Sequence, residues 1–178
     1  MNHKIIDKSS CNDIAEILRS VFAFSEGEEE GKLIGSLASK LASSIDDEEI
    51  ICIGAYENEL LVGVIFLTRL RFDESIRVYM LAPVAVSTAF QNRGVGQSLI
   101  HYGLSELKNR SVDVVIIYGD PSFYSKIGFQ ALSESTIQAP LTLSMPEGWL
   151  AQSLTSEPIP TIRQRPQCVD AFNNPVYW

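Results

Sequence analysis

Histidine, cysteine and basic side chains are scarce in this chain of 178 residues. The two histidines, His3 and His101, stand far apart, and the three cysteines, Cys11, Cys52 and Cys168, are odd in number and widely spaced. No Cys-x-x-Cys or His-x-x-x-His spacing occurs. Neither a zinc site nor a disulfide framework is therefore expected, and no metal is assigned. Lys and Arg number 14 against 22 Asp and Glu, a net charge of −8. Clustered basic side chains are what sequence-independent nucleic-acid binding needs, so no nucleic-acid partner is expected. The acidic balance favours solubility and attracts cations such as amines. No apolar run approaches the length of a membrane-spanning helix, and Met1 to Lys8 lacks the apolar centre of a signal peptide. The expected location is the cytoplasm, with no membrane partner.

What is present is a chain that is 46% hydrophobic and 20% charged, enough to bury one sizeable core. One domain over residues 1–178 is expected, with a core over 3–145 and a C-terminal extension, 146–178, packed on it. A short strand is predicted over 3–7, with Ser9, Ser10 and Asn12 offering helix caps. Ile14, Ile17, Leu18, Val21 and Phe22 recur at helical spacing over 13–24, and Leu33, Leu37 and Leu41 do so over 29–43. Gly31 and Gly35 weigh against that second helix. Strands are predicted over 50–56 and 60–67 with a turn at Glu57-Asn58-Glu59, and over 76–86 with an interruption at Pro83. A helix over 94–109, a buried strand over 112–118 and a short helix over 122–127 follow, the last stopped by Gly128. Beyond Ala131 the pattern weakens. A strand over 137–145 and a helical turn over 150–154 are expected, then an irregular tail whose Phe172, Tyr177 and Trp178 pack down. The element order indicates an α/β or α+β domain with a mixed sheet.

Residues 91–98, Gln-Asn-Arg-Gly-Val-Gly-Gln-Ser, run from a strand through a tight loop into a helix. A helix's first turn has free N–H groups and a partial positive charge, and glycine lets a ligand approach its backbone. That combination suits phosphate or pyrophosphate. Arg93 adds a charge or stands solvated. A dinucleotide fingerprint needs a third glycine, where this chain has Leu99; a P-loop needs Gly-Lys-Ser or Gly-Lys-Thr, absent here.

Gln91-Asn92-Arg93-Gly94-Val95-Gly96 resembles the Gln/Arg-x-x-Gly-x-Gly/Ala motif of the GNAT acetyltransferase superfamily. Val84-Ala85-Val86 before it is similar to that family's splayed strand, and Tyr124-Ser125-Lys126-Ile127-Gly128-Phe129 to its Tyr-x-x-x-Gly-Phe element. The three stand in the family's order. The resemblance implies a single α/β (α+β) domain whose mixed central sheet is splayed at a cofactor cleft and flanked by helices. It implies acetyl-CoA as co-substrate, with the backbone of Arg93, Gly94, Val95, Gly96, Gln97 and Ser98 on the pyrophosphate. Val84 and Val86 would bond the pantetheine arm as an added strand does; Ala85, Gln91 and Asn92 complete the coenzyme-binding set.

The implied reaction is direct attack of a neutral primary amine, from a small molecule or a protein, on the thioester in a ternary complex. An N–H near Val86 would stabilise the oxyanion. Tyr124 would act as general acid towards the leaving thiolate. Asp73, Glu74, Asp120 and Tyr79 are candidates for the base, and none is singled out. The Asn that many members carry near the end of the strand over 112–118 is missing, so its coenzyme contact does not carry over; Thr88 stands where proline is frequent. The stretch Gly119-Asp120-Pro121-Ser122-Phe123-Tyr124 resembles a bacterial subgroup of unsettled substrate. A catalytically silent acyl-CoA-binding sensor is the alternative, and a glycine-loop nucleotide binder a third reading. A homodimer is compatible with the sequence.

Overall fold

The structure, a computed structural model, describes residues 1–178. Seven strands form one mixed sheet, in the order Asn2–Ile6, Ile50–Glu57, Leu60–Leu70, Val78–Val86, Val114–Tyr118, Trp149–Ser153 and Gln130–Ala131, and helices flank it. The chain divides into two compact units, Met1–Leu67 with Ala82–Gly103 and Thr68–Leu81 with Leu104–Trp178.

The first unit opens with β1 (Asn2–Ile6), antiparallel to β2 (Ile50–Glu57) in a register that sets His3 opposite Ala55 and Ile6 opposite Cys52. Between them lie α1 (Cys11–Glu26) and α2 (Glu28–Ser43). The helix start differs from the expected serine cap. Asp7 accepts from the Ser9 N–H at 2.8 Å and caps a 3₁₀ turn over Lys8–Ser10, which runs into α1. Ser10 holds the cap position of α1 without a side-chain bond. α1 buries Ile14, Ile17, Leu18 and Val21, the apolar stripe of its sequence.

Gly31 and Gly35, which read as weaknesses, are where α2 packs most closely on α1. A Cβ at Gly31 would lie 2.5 Å from the Ala23 Cβ, and one at Gly35 2.9 Å from the Arg19 Cβ. Each glycine costs about 1 kcal/mol of helix propensity, offset by the close approach of the two helices. β2 turns into β3 (Leu60–Leu70) through Asn58 and Glu59, both at positive φ (49° and 66°), the conformation of the tight hairpin turn whose twist matches the strands. β4 (Val78–Val86) contains Pro83 after a cis peptide bond. In α3 (Val95–Asn109), Gly103 lets the helix lie on β3, since a Cβ there would be 2.7 Å from the Ile65 Cδ1.

The second unit is built on β5 (Val114–Tyr118), whose continuous apolar run is buried on both faces. Its parallel pairing with β4 sets Val78 against Val114 and Met80 against Ile116, with α3 as the crossover. α4 (Pro121–Tyr124) and β6 (Gln130–Ala131) follow. Two expectations fail here. Residues 137–145 form no strand; Ile137 makes only an isolated bridge to Ile162, and Pro140 has no N–H to give a ladder. The predicted turn over 150–154 is instead β7 (Trp149–Ser153), antiparallel to both β5 and β6. A short apolar run fits helix or strand locally, and the open edge of β5 decides. The tail closes on an aromatic cluster. Trp178 stacks on Tyr118 (6.2 Å, 14°), meets Trp149 edge-on, and donates its indole N–H to the Phe172 carbonyl at 2.8 Å.

Candidate active site

The first unit brings the strand and loop candidates together. Pro83 and Ala85 are buried while Val84 and Val86 are half-buried, the alternation of a pleated strand. The Ser87 N–H donates to the Val62 carbonyl at 2.8 Å, which ties the strand end to β3. The chain then makes a 3₁₀ turn over Thr88–Phe90. Gln91 reaches back, its Nε2 donating to the Val86 carbonyl at 2.9 Å, so one side chain joins the strand's last residue to the loop. Asn92 and Gly94 lie at φ 59° and 77°. No atom lies within 4 Å of where a Gly94 Cβ would be. Glycine is favoured there by backbone conformation, and nothing of the protein fills the space beside it. The Arg93 guanidinium lies over the Phe90 ring, 5.4 Å from its centroid, instead of standing free.

α3 starts under this loop. Its first backbone bond is Ser98 N–H to the Gly94 carbonyl at 3.0 Å, so the N–H groups of Val95, Gly96 and Gln97 precede the helix ladder. Ser98 thus differs from its neighbours in the expected set, its N–H being already taken. Its hydroxyl bonds the Val95 carbonyl at 3.0 Å and approaches the His3 ring at 3.2 Å. Sequence reasoning weighed His3 only as a metal ligand. Its side chain meets α3 through a pairing 95 residues long, which no local pattern announces.

Tyr124 belongs to the second unit. Asp120 caps α4, accepting from the Ser122 N–H at 2.9 Å and the Ser122 hydroxyl at 2.8 Å, with Pro121 in the first turn. The hydrogen bonds to Ser122 hold the Asp120 carboxyl below its usual range. The Tyr124 ring is half-buried, edge-on to Phe123 at 5.0 Å and to Phe129 at 5.9 Å. It lies against Gly119, where a Cβ would be 2.6 Å from the ring's Cε2. Gly119 is in turn held by Gly148, its N–H donating to the Gly148 carbonyl at 2.9 Å. Burial, and then the Asp120 charge, push the phenol up to about 12. It therefore stays protonated across the neutral range, as a proton donor must.

The candidate bases fare unequally. Tyr79 is buried with the Arg69 guanidinium 5.7 Å from its ring centroid, and Asp120 is engaged in its cap. Glu74 lines an open groove of about 570 Å³ with Asp113 and Glu157, and the Asp73 N–H is held by the Gln164 side chain. No cluster of three or more His, Cys, Asp or Glu side chains forms, and no helix is long and apolar enough to cross a membrane.

Residues 3–132 match the family described as Acetyltransferase (GNAT) domain. The chain is 31% identical over 177 residues to the uncharacterized N-acetyltransferase YjhQ of Escherichia coli (strain K12), covering 93% of this chain and 91% of that one. Among solved structures, the GNAT family N-acetyltransferase YhbS from Escherichia coli, in complex with CoA, superposes with a TM-score of 0.78 at 19% identity, covering 97% of this chain and 92% of that one. A GNAT family acetyltransferase from Brucella melitensis, in complex with acetyl-CoA, does so with a TM-score of 0.67 at 18% identity, covering 97% of both. At these identities the structural likeness speaks to the fold.

Proposed function

The chain belongs to the GNAT acetyltransferase family, and on that premise we propose that it transfers an acetyl group from acetyl-CoA to a primary amine of a small molecule or protein. Residues 1–178 act as one acetyltransferase domain in this reading. The observation that carries it is the start of α3: three backbone donors, at Val95, Gly96 and Gln97, precede the helix ladder beside a positive-φ glycine with open space around it. Such a turn offers an anion both hydrogen bonds and the helix's partial positive charge. The pyrophosphate of coenzyme A is the anion assigned to it. The YhbS and Brucella melitensis structures, which carry CoA and acetyl-CoA, support that choice by their fold.

Val84, Ala85 and Val86 offer the pantetheine arm a strand to bond, with Gln91 and Asn92 shaping the loop. The amine, in its neutral form, attacks the thioester carbon. The tetrahedral intermediate collapses with cleavage of the carbon–sulfur bond, and the electron pair leaves on sulfur. Tyr124 supplies the proton that makes the thiol, and the amine's surplus proton passes to a base or to water. A phenol held near 12 is a reluctant acid in water. It suits a thiolate whose own basicity rises on burial, since matched basicities give efficient transfer.

The test is thiol release from acetyl-CoA over a panel of small amines and peptide amines, alongside calorimetric titration with coenzyme A. Binding with acceptor-dependent thiol release is expected. Tight binding with no release from any amine would replace catalysis by an acyl-CoA sensor. Stabilisation by ATP and not by acetyl-CoA would overturn both.

A further inference from the structure

β1 carries His3 onto α3. The register of β1 on β2 fixes which face of the sheet the ring takes. The ring stacks on Tyr102 (5.4 Å between centroids, 21° between planes), and its Nε2 lies 3.2 Å from the Ser98 hydroxyl. Ser98 and Tyr102 are four residues apart and so share one face of the helix. The Ser98 hydroxyl also lies 3.0 Å from the Val95 carbonyl, to which it donates. A hydroxyl has one proton to give. Ser98 therefore meets the imidazole with a lone pair, and Nε2 must carry the hydrogen. Both the neutral Nε2–H tautomer and the imidazolium satisfy this; the Nδ1–H tautomer does not. His3 thus supports, through Ser98, the residue whose N–H opens the free donor set.

We propose that His3 is a positioning residue of the coenzyme loop, and that pyrophosphate binding at the first turn of α3 draws a proton onto its ring. This rests on the pyrophosphate reading given above. The groups facing the ring are few. On α3 they are the Tyr102 phenol and the Ser98 hydroxyl. On β2 they are Ala55 directly opposite and Glu57 two residues further along the same face. On β1 itself the nearest charge is the Met1 ammonium, while Lys4 points the other way, over the Tyr56 ring at 4.1 Å. In the free protein, burial and then the Met1 ammonium hold the imidazole below its ordinary range. The positive end of α3 acts in the same direction. A bound pyrophosphate brings negative charge to that helix end and reverses the balance. Because the folded, ligated form then binds more protons than the free form, affinity for the coenzyme rises as pH falls through the interval between the two His3 pKa values.

The measurement is an NMR titration of the wild-type protein, free and saturated with coenzyme A. The chain has only two histidines, and His101, exposed on α3, serves as the reference. The expected result is an upward shift of the His3 pKa by about half a unit, the effect of one charge roughly 8 Å away through water-like dielectric. Between pH 8 and pH 5, wild-type affinity should tighten about threefold more than that of His3→Gln, which offers Ser98 a neutral donor without titrating. At pH 8, His3→Ala should bind more weakly than wild type, and His3→Gln should recover the difference. Coenzyme binding with an unmoved His3 pKa overturns this inference alone. No coenzyme binding at any pH overturns the pyrophosphate reading and this inference with it.

Discussion

The coenzyme loop and the tyrosine segment are built on opposite plans. Residues 91–98 hold their shape mostly with contacts from close by, Gln91 to Val86, Ser98 to Gly94 and Val95, Arg93 over Phe90, with His3 reaching Ser98 from β1. Tyr124 touches near neighbours, but those neighbours are held by residues that are remote in the chain. Its ring rests on Gly119, Gly119 is fixed by Gly148, and the adjoining Tyr118 is stacked under Trp178. A site that must present backbone N–H groups can be made from a short motif, because the donors and the turn come with it. A side chain that must be held at one angle needs walls, and walls come from elsewhere in the sequence.

The contrast can be broken by experiment. The largest effect is expected from Trp178→Ala, which removes the centre of the aromatic cluster. A loss of about 3 kcal/mol in denaturant unfolding is expected for a buried Trp truncated to Ala. If coenzyme affinity of the folded protein falls in parallel, the two regions are not separable and the contrast collapses. Next, Tyr124→Phe should lower kcat by about a hundredfold and leave coenzyme affinity nearly unchanged, the signature of a group acting in the transition state. An unaltered kcat with chemistry rate-limiting would remove Tyr124 from the mechanism. Gly94→Val should weaken coenzyme binding about tenfold, since a β-branched residue at φ 77° is strained and its side chain enters the open space of the loop. Calorimetry reads this directly, with unfolding as the control. The smallest effect belongs to Asp120→Asn. Removing the carboxylate withdraws the lesser of two influences that raise the Tyr124 phenol. The alkaline limb of kcat, where the acid is lost by deprotonation, should move to lower pH by a fraction of a unit. Movement upward would contradict the sign of that charge effect.

The same division explains how much could be read in advance. The loop, the strand before it, α1 to α3 and the hairpin at Asn58 all announce themselves in local periodicity and turn chemistry. α1 starts at Cys11, two residues before the expected span, and its cap position is held by Ser10 without a side-chain bond, while Asp7 caps the 3₁₀ turn that runs into it. β7 does not show as a strand in its own sequence because Trp149–Ser153 is too short to reveal a period, and both of its partners, β5 and β6, lie upstream of it; it is the open edge of β5, over Val114–Tyr118, that recruits it. Gly31 and Gly35 were read through propensity alone, whereas their meaning lies in Ala23 and Arg19 on the facing helix. His3 is the sharpest case. Nothing around Met1 to Lys8 points to Ser98, and only the register of β1 brings the two together.

The bond from Gln91 to the Val86 carbonyl also says what that position will accept under substitution. The acceptor is a carbonyl, so the position requires a long side chain ending in a donor, whatever its charge. Glutamine and arginine, the two residues that head the motif this loop resembles, both qualify. Glutamate, the closest isostere of glutamine, does not, because it would set a carboxylate against a carbonyl oxygen. Position 91 thus behaves as a grammatical rule with two permitted words, and its near-synonym is the one it forbids.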